Sequence, residues 1–158
     1  MNTLEVITPP GTSTVTLIRE FDAPPQLVFD VMTDPALIND WWGPGRLTTL
    51  IHEMDVRPGG RWHFSQTDPD GSEFGFHGVY HDVVAGERVV QTFEYEGMPG
   101  HVSLETTTLD ELPGGRTRMV NTTAFTSIED RDGMVASGME QGAAEGLDRL
   151  EAYLATRQ

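Results

Sequence analysis

Arg19-Glu20-Phe21-Asp22-Ala23-Pro24-Pro25, running on through Val28-Phe29 and Asp34-Pro35 to Trp41-Trp42-Gly43-Pro44, decides how this chain folds. An alternating apolar strand stops at an Asp-Ala-Pro-Pro corner. Two short helical segments follow, over residues 24–32 and 35–42, and the run closes on a tryptophan pair before a Gly-Pro break. Proline suits the first turn of a helix, because its fixed φ is already helical and the N–H it lacks would find no partner there. Helices this short bury little by themselves. Phe29, Ile38 and the two tryptophans therefore need a cover from elsewhere in the chain.

Upstream, Val15, Leu17 and Arg19 alternate with Thr16, Ile18 and Glu20, the period of a strand. Residues 1–13 are polar, contain Pro9-Pro10-Gly11, and read as an extended lead-in to a single domain over residues 14–158. Downstream, strands are expected at 48–56, 61–66, 73–84, 88–96, 101–111 and 116–126. Turn compositions separate them: Arg57-Pro58-Gly59-Gly60, Asp68-Pro69-Asp70-Gly71, Ala85-Gly86-Glu87, Gly97-Met98-Pro99-Gly100 and Pro113-Gly114-Gly115. Connections this short favour hairpins and hence an antiparallel meander. Residues 134–156 are expected to form one long helix, with Met139, Ala143, Leu147, Leu150 and Leu154 along one face. The fold class is α+β, in the order strand, two helices, six strands, helix. The sheet must cover its apolar face, and the terminal helix is the only element long enough to do so.

The 158 residues carry 25 acidic against 10 basic side chains, all of the latter arginine, for a formal charge of −15. Phosphates would be repelled, so neither nucleic acid nor an anionic membrane is expected as a partner. The absence of cysteine excludes disulfides, thiolate metal sites and thiol catalysis. There is no basic-then-apolar leader and no apolar run of membrane length, which points to the cytoplasm. A homodimer is left open. No nucleophile elbow, phosphate loop or carboxylate pair of acid/base spacing is present, so no cofactor is expected and the reading leans away from an enzyme.

The order of elements, together with particular words of sequence, resembles the helix-grip fold of the START-like or SRPBCC superfamily. Within it the chain resembles the branch named after the C-terminal domain of the activator of the heat-shock chaperone ATPase. Besides the opening stretch, the matching words are Asp55-Val56-Arg57-Pro58-Gly59-Gly60, Phe76-His77-Gly78-Val79-Tyr80, Glu87-Arg88-Val89-Val90 and Gly115-Arg116-Thr117-Arg118. The resemblance covers residues 14–156 and implies a curved antiparallel sheet wrapped around a long C-terminal helix, with a ligand cavity between them. It speaks far more to fold than to function. The branch often has Gly-Trp where this chain has Gly138-Met139, which removes a large ring from the cavity wall. The chaperone activator uses a further N-terminal domain that these residues do not supply, so a chaperone partner is not expected.

Gly138, Gly142 and Gly146 fall at i, i+4 spacing in the terminal helix. An interior glycine costs a helix about 0.5–1 kcal/mol relative to alanine, so three in register need a reason. Either they leave room for a ligand or they let helix and sheet approach closely. The rings of Phe29, Trp41, Trp42, Trp62, Phe64, Phe76, Tyr80, Phe93 and Tyr95 could line a site for a flat apolar molecule, or form ordinary core. Adjacent residues on a helix point about 100° apart, so at most one of Trp41 and Trp42 faces fully inward. His77 and His81 share a strand face, yet four residues at ~3.3 Å each put them too far apart for one ion. No metal site is read from the sequence, since His52 or His63 would have to meet another histidine across strands. Asp55, Arg57 and Arg61 flank the Pro-Gly-Gly turn, and a salt bridge that fixes the turn is expected there in preference to a catalytic Asp/Arg pair.

The expected function is the binding of a small hydrophobic or aromatic molecule, without catalysis. Phe29, Trp41, Trp42, His52, Trp62, Phe64, Phe76, Tyr80, Phe93, Asn121, Met139, Gly142 and Gly146 are the candidate lining, with His52, Asn121 and Tyr80 as its polar members. Two alternatives follow from the resemblance. One is a cyclase/aromatase- or hydrolase-like enzyme in which a His or Tyr moves a proton. The other is a chaperone-interaction module.

Overall fold

A computed structural model describes residues 2–157. Eight strands form one antiparallel sheet: β1 (Glu5–Ile7), β2 (Thr14–Phe21), β3 (Thr48–Met54), β4 (Arg61–Thr67), β5 (Glu73–Val84), β6 (Arg88–Tyr95), β7 (Val102–Leu112) and β8 (Arg116–Ala124). They lie in the order β1-β2-β8-β7-β6-β5-β4-β3. From β3 to β8 each strand pairs with its successor, the expected meander. β2 then returns to pair with β8 along its whole length, Thr14 opposite Ala124 and Phe21 opposite Thr117. The chain must cross from β2 to β3 near the far edge. It does so through α1 (Pro25–Met32) and α2 (Ile38–Trp41).

α1 starts where the two prolines place it, with Pro24 extended at the N-cap position and Pro25 opening the helix. α2 is a single turn, shorter than the expected 35–42. The Asp34 carboxylate accepts from the Ala36 N–H at 2.9 Å, a local turn that takes up residues the sequence pattern assigned to helix. One face of the sheet meets these helices and α4 (Met139–Ala155). Val15, Phe21, Trp62, Phe64, Leu109 and Met119 from the sheet join Val28, Ile38 and Trp41 from the short helices and Leu147, Leu150 and Leu154 from α4. The fold is thus the α+β helix-grip arrangement.

Two expectations are corrected. The lead-in is partly sheet: Glu5, Val6 and Ile7 pair with Ile18, Leu17 and Thr16 as an edge strand. Three residues are too few for a periodic signal, and pairing to β2 rather than pattern makes the strand. The terminal helix is not continuous. α3 (Ile128–Ala136) precedes α4, and its start is fixed by Ser127, whose hydroxyl accepts from the Asp130 N–H at 3.0 Å. Gly138 then breaks the helix with φ 87°, a left-handed conformation that a side chain would strain. It stops α3 and caps α4, so it is a junction and not a member of an interior stripe.

α4 is fastened at its C-terminal half. Arg19, on the inner face of β2 and only 1% exposed, bonds Asp148 and Glu151, each at 2.7 Å. Among the described residues no helix is long and apolar enough to cross a membrane.

Candidate functional site

Between the sheet and the N-terminal half of α4 lies a cavity of about 320 Å³. β7 and β8 supply its floor through inward positions: Ser103, Glu105 and Thr107 from one strand, Met119, Asn121 and Thr123 from the other. Met139, Gly142, Ala143, Gly146 and Leu147 of α4 form the roof, and Met134 of α3 reaches the same space. A second cavity of about 90 Å³ lies toward β4 and β5, lined by Phe29, Phe64, Tyr80 and Leu109 among others. Trp41, Trp42 and Met32 border both and stand as the partition between them.

Seven of the expected residues line the larger cavity: Trp41, Trp42, Phe93, Asn121, Met139, Gly142 and Gly146. Phe29, Phe64 and Tyr80 line the smaller one. Trp41 is buried and Trp42 only partly so; Trp42 stands just past the end of α2, where the backbone is already extended. Trp42 meets Phe64 and Phe76 edge-on at 5.3 and 5.4 Å between ring centroids. The Trp41 indole N–H is buried without a hydrogen-bond partner.

Three expected residues lie elsewhere. Trp62 is packed core, its indole N–H donating to the Thr92 carbonyl at 3.1 Å. Phe76 packs behind the partition, against Trp42, Phe93 and Tyr95. His52 is exposed on the opposite face of the sheet, 2.8 Å from the Ser65 hydroxyl, because strand alternation places it on the side of the exposed Leu50 and away from Thr49 and Ile51. There it stacks on His63 at 4.6 Å. His77 beside them contacts Glu94 and Glu96 at 3.3 and 2.9 Å. Among the described residues no group of three or more His, Cys, Asp or Glu is placed to hold a metal ion. Asp55 and Arg57 do pair, at 2.8 Å, on an exposed turn.

The glycines divide between the two readings of their spacing. A Cβ on Gly146 would come within 2.8 Å of the Trp41 carbonyl oxygen, so this glycine lets α4 and α2 approach. A Cβ on Gly142 would meet only Pro44, at an ordinary 3.5 Å, and this glycine opens the cavity roof.

The sequence reading missed Glu105. It is half-buried, and its carboxylate receives one bond, from the Asn121 amide at 3.5 Å. Desolvation raises its pKa, and the Asn121 bond opposes this only in part. The same amide donates to the Thr107 hydroxyl at 2.9 Å. The signal that could have found Glu105 is parity: Ser103, Glu105 and Thr107 share the face of the apolar Leu109. Tyr80 is shifted as well. Burial, with the charges of Asp55 and Glu105 nearby, pushes its phenol well above the ordinary value.

A family model described as activator of Hsp90 ATPase homolog 1-like protein matches residues 22–155. A search of curated proteins gave no match. Among solved structures, a solution NMR structure from Arthrobacter aurescens is similar at 25% identity, with 96% of this chain and 91% of that one covered and a TM-score of 0.87. A crystal structure from Mycobacterium smegmatis shares 26% identity over 95% of both chains, with a TM-score of 0.85. A third, from Rhodobacter sphaeroides, shares 24% identity over 97% of this chain and 99% of that one. Its TM-score of 0.88 is a likeness of fold alone.

Proposed function

Since the chain belongs to the family of activator of Hsp90 ATPase homolog 1-like proteins, we propose that it uses the helix-grip fold to bind a small molecule with an apolar or aromatic body. The observation that carries this reading is the cavity of about 320 Å³ under α4. Its size falls at the lower end of the roughly 300–1,000 Å³ typical of small-molecule sites. Its lining has the composition such sites share, apolar rings and methionines around a few convergent polar groups. Met139, where the branch often has tryptophan, leaves part of that volume free.

The enzymatic alternative needs a histidine or tyrosine placed to move a proton. No histidine lines either cavity among the described residues, and Tyr80 holds its proton more tightly than a free phenol. The chaperone-interaction reading rests on the family's name. Binding without catalysis is the reading that the site supports best.

Native mass spectrometry of protein purified from its own host tests it. A co-purifying small molecule, released on denaturation and reproducible between preparations, is the expected result. Identical native and denatured masses, with no uptake of naphthylmethanol by the purified protein, would remove the reading.

A further inference from the structure

The larger cavity has one ionisable lining residue among those described, and it is an acid. We propose that the cargo's polar end is a basic amine, and that it docks on Glu105. This rests on the binding reading above and names the chemical class of ligand.

Three observations converge on it. First, the Glu105 carboxylate has a single protein hydrogen bond among those described, a long one at 3.5 Å from Asn121. A carboxylate has about four lone-pair positions, so most of its accepting capacity stays open toward the cavity. Secondly, two of the neighbouring donors are already engaged. The Asn121 amide also donates to Thr107 at 2.9 Å, and the Ser103 hydroxyl donates to the Phe93 carbonyl at 3.4 Å. Gln91, opposite Glu105 on β6, and the partnerless Trp41 indole N–H also line the cavity, and neither donates to the carboxylate. Thirdly, no arginine lines the larger cavity, and Arg88 beside the smaller one is tied to Asp82 at 2.9 and 2.6 Å. In a chain of net charge −15, a carboxylate or phosphate ligand would meet repulsion with no cation to offset it.

An ammonium group supplies what the Glu105 carboxylate lacks. It donates to the open oxygens and neutralises the charge that desolvation penalises. When the ligand enters as the cation, Glu105 gives up any proton it holds, and that proton passes to solvent. No other titratable or charged side chain lines the cavity from β2, β6, β8, α3 or α4. Tyr80 of β5, which feels the Glu105 charge, lies across the partition.

Isothermal titration calorimetry with naphthylmethylamine, naphthylmethanol and naphthoic acid separates the claims, because the three share one apolar body. The wild type is expected to bind the amine more tightly than the alcohol by roughly ten- to a hundredfold, the worth of a charge-assisted hydrogen bond. The acid is expected to bind weakest. Glu105→Gln should keep the alcohol affinity and erase the amine preference. In buffers of different ionisation enthalpy, the wild type alone should release protons on binding the amine below neutral pH. Equal affinity for amine and alcohol, or an amine preference that survives Glu105→Gln, would overturn the amine proposal and leave the cavity reading standing. No binding of any of the three would overturn both. Should Glu105→Gln misfold by circular dichroism, Asn121→Asp, which adds a second acid to the floor, gives the decision instead: a strengthened amine preference supports the proposal and an unchanged one sinks it.

Discussion

The α-carbon of Gly146 faces the main chain of Trp41, and a methyl group there would stand 2.8 Å from the Trp41 carbonyl oxygen and 3.2 Å from the Gly43 nitrogen. Both neighbours are backbone, which cannot rotate aside. Gly146→Ala is therefore expected to lose more from overpacking, about 1–3 kcal/mol, than the roughly 0.5–1 kcal/mol it gains in helix propensity. Gly142→Ala meets only Pro44 at 3.5 Å and should stabilise by about 0.5–1 kcal/mol. Urea unfolding of the two variants, run side by side, checks the opposite signs.

Bulk added to the cavity roof should act on binding before it acts on folding. Gly142→Leu and Met139→Trp both place side-chain volume into the space of about 320 Å³. Each is expected to keep a cooperative thermal transition and to lose naphthylmethanol binding at least tenfold, since about 1.4 kcal/mol of displaced contact suffices for that factor. Wild-type affinity in both variants would show that the ligand sits elsewhere.

Glu105 should make stability depend on pH with an unusual sign for a carboxylate. Its folded-state pKa lies above the unfolded value, because burial penalises the charged form. The folded state then binds more protons than the unfolded one between the two values. Stability from this group is complete below the unfolded carboxylate pKa and falls as pH rises through the raised folded one. Glu105→Gln is expected to raise the melting temperature at neutral pH and to have little effect at a pH below the ordinary glutamate range. Calorimetric scans at the two conditions give the comparison.

Arg19 is 1% exposed, whereas its partners Asp148 and Glu151 are 55% and 19% exposed. Removing both negative charges with Asp148→Asn and Glu151→Gln leaves a buried guanidinium without a counter-charge. The double variant is expected to lose about 3–5 kcal/mol. Of the singles, Glu151→Gln should cost more than Asp148→Asn, whose pairing is screened by solvent. Chemical denaturation of the three variants tests the order.

The fold was legible from residue 14 onward because local chemistry and tertiary demand agree there. Two prolines begin α1, glycine-rich turns punctuate the meander, and a leucine stripe marks the buried half of α4. What escaped was decided by partners rather than by pattern. β1 exists through its pairing with β2, and the break at Gly138 came from backbone conformation that helical periodicity does not reveal. The site was half legible. Aromatic residues and the α4 glycines announced themselves, but His52 falls on the outer face with Leu50, which is apolar and gives no hint of exposure. Glu105 looked like any acidic residue in an acidic chain until its neighbours on the floor were known.

The Arg19 clamp has a mechanical consequence for the cavity. Every buried residue of α4 lies between Gly146 and Leu154, and both ion pairs of Arg19 fall in that same half. The other half, from Met139 to Ala143, extends past that clamp toward the Gly138 junction and spans open volume. α4 is therefore a beam held at both ends. Its N-terminal end is tied through Gly138 to α3, which the buried Arg131 fastens to the Pro9 and Thr14 carbonyls at 3.0 and 3.2 Å. The span between the two fastenings roofs the open volume, so the bulk carried by Met139 and Gly142 sets the room left for cargo.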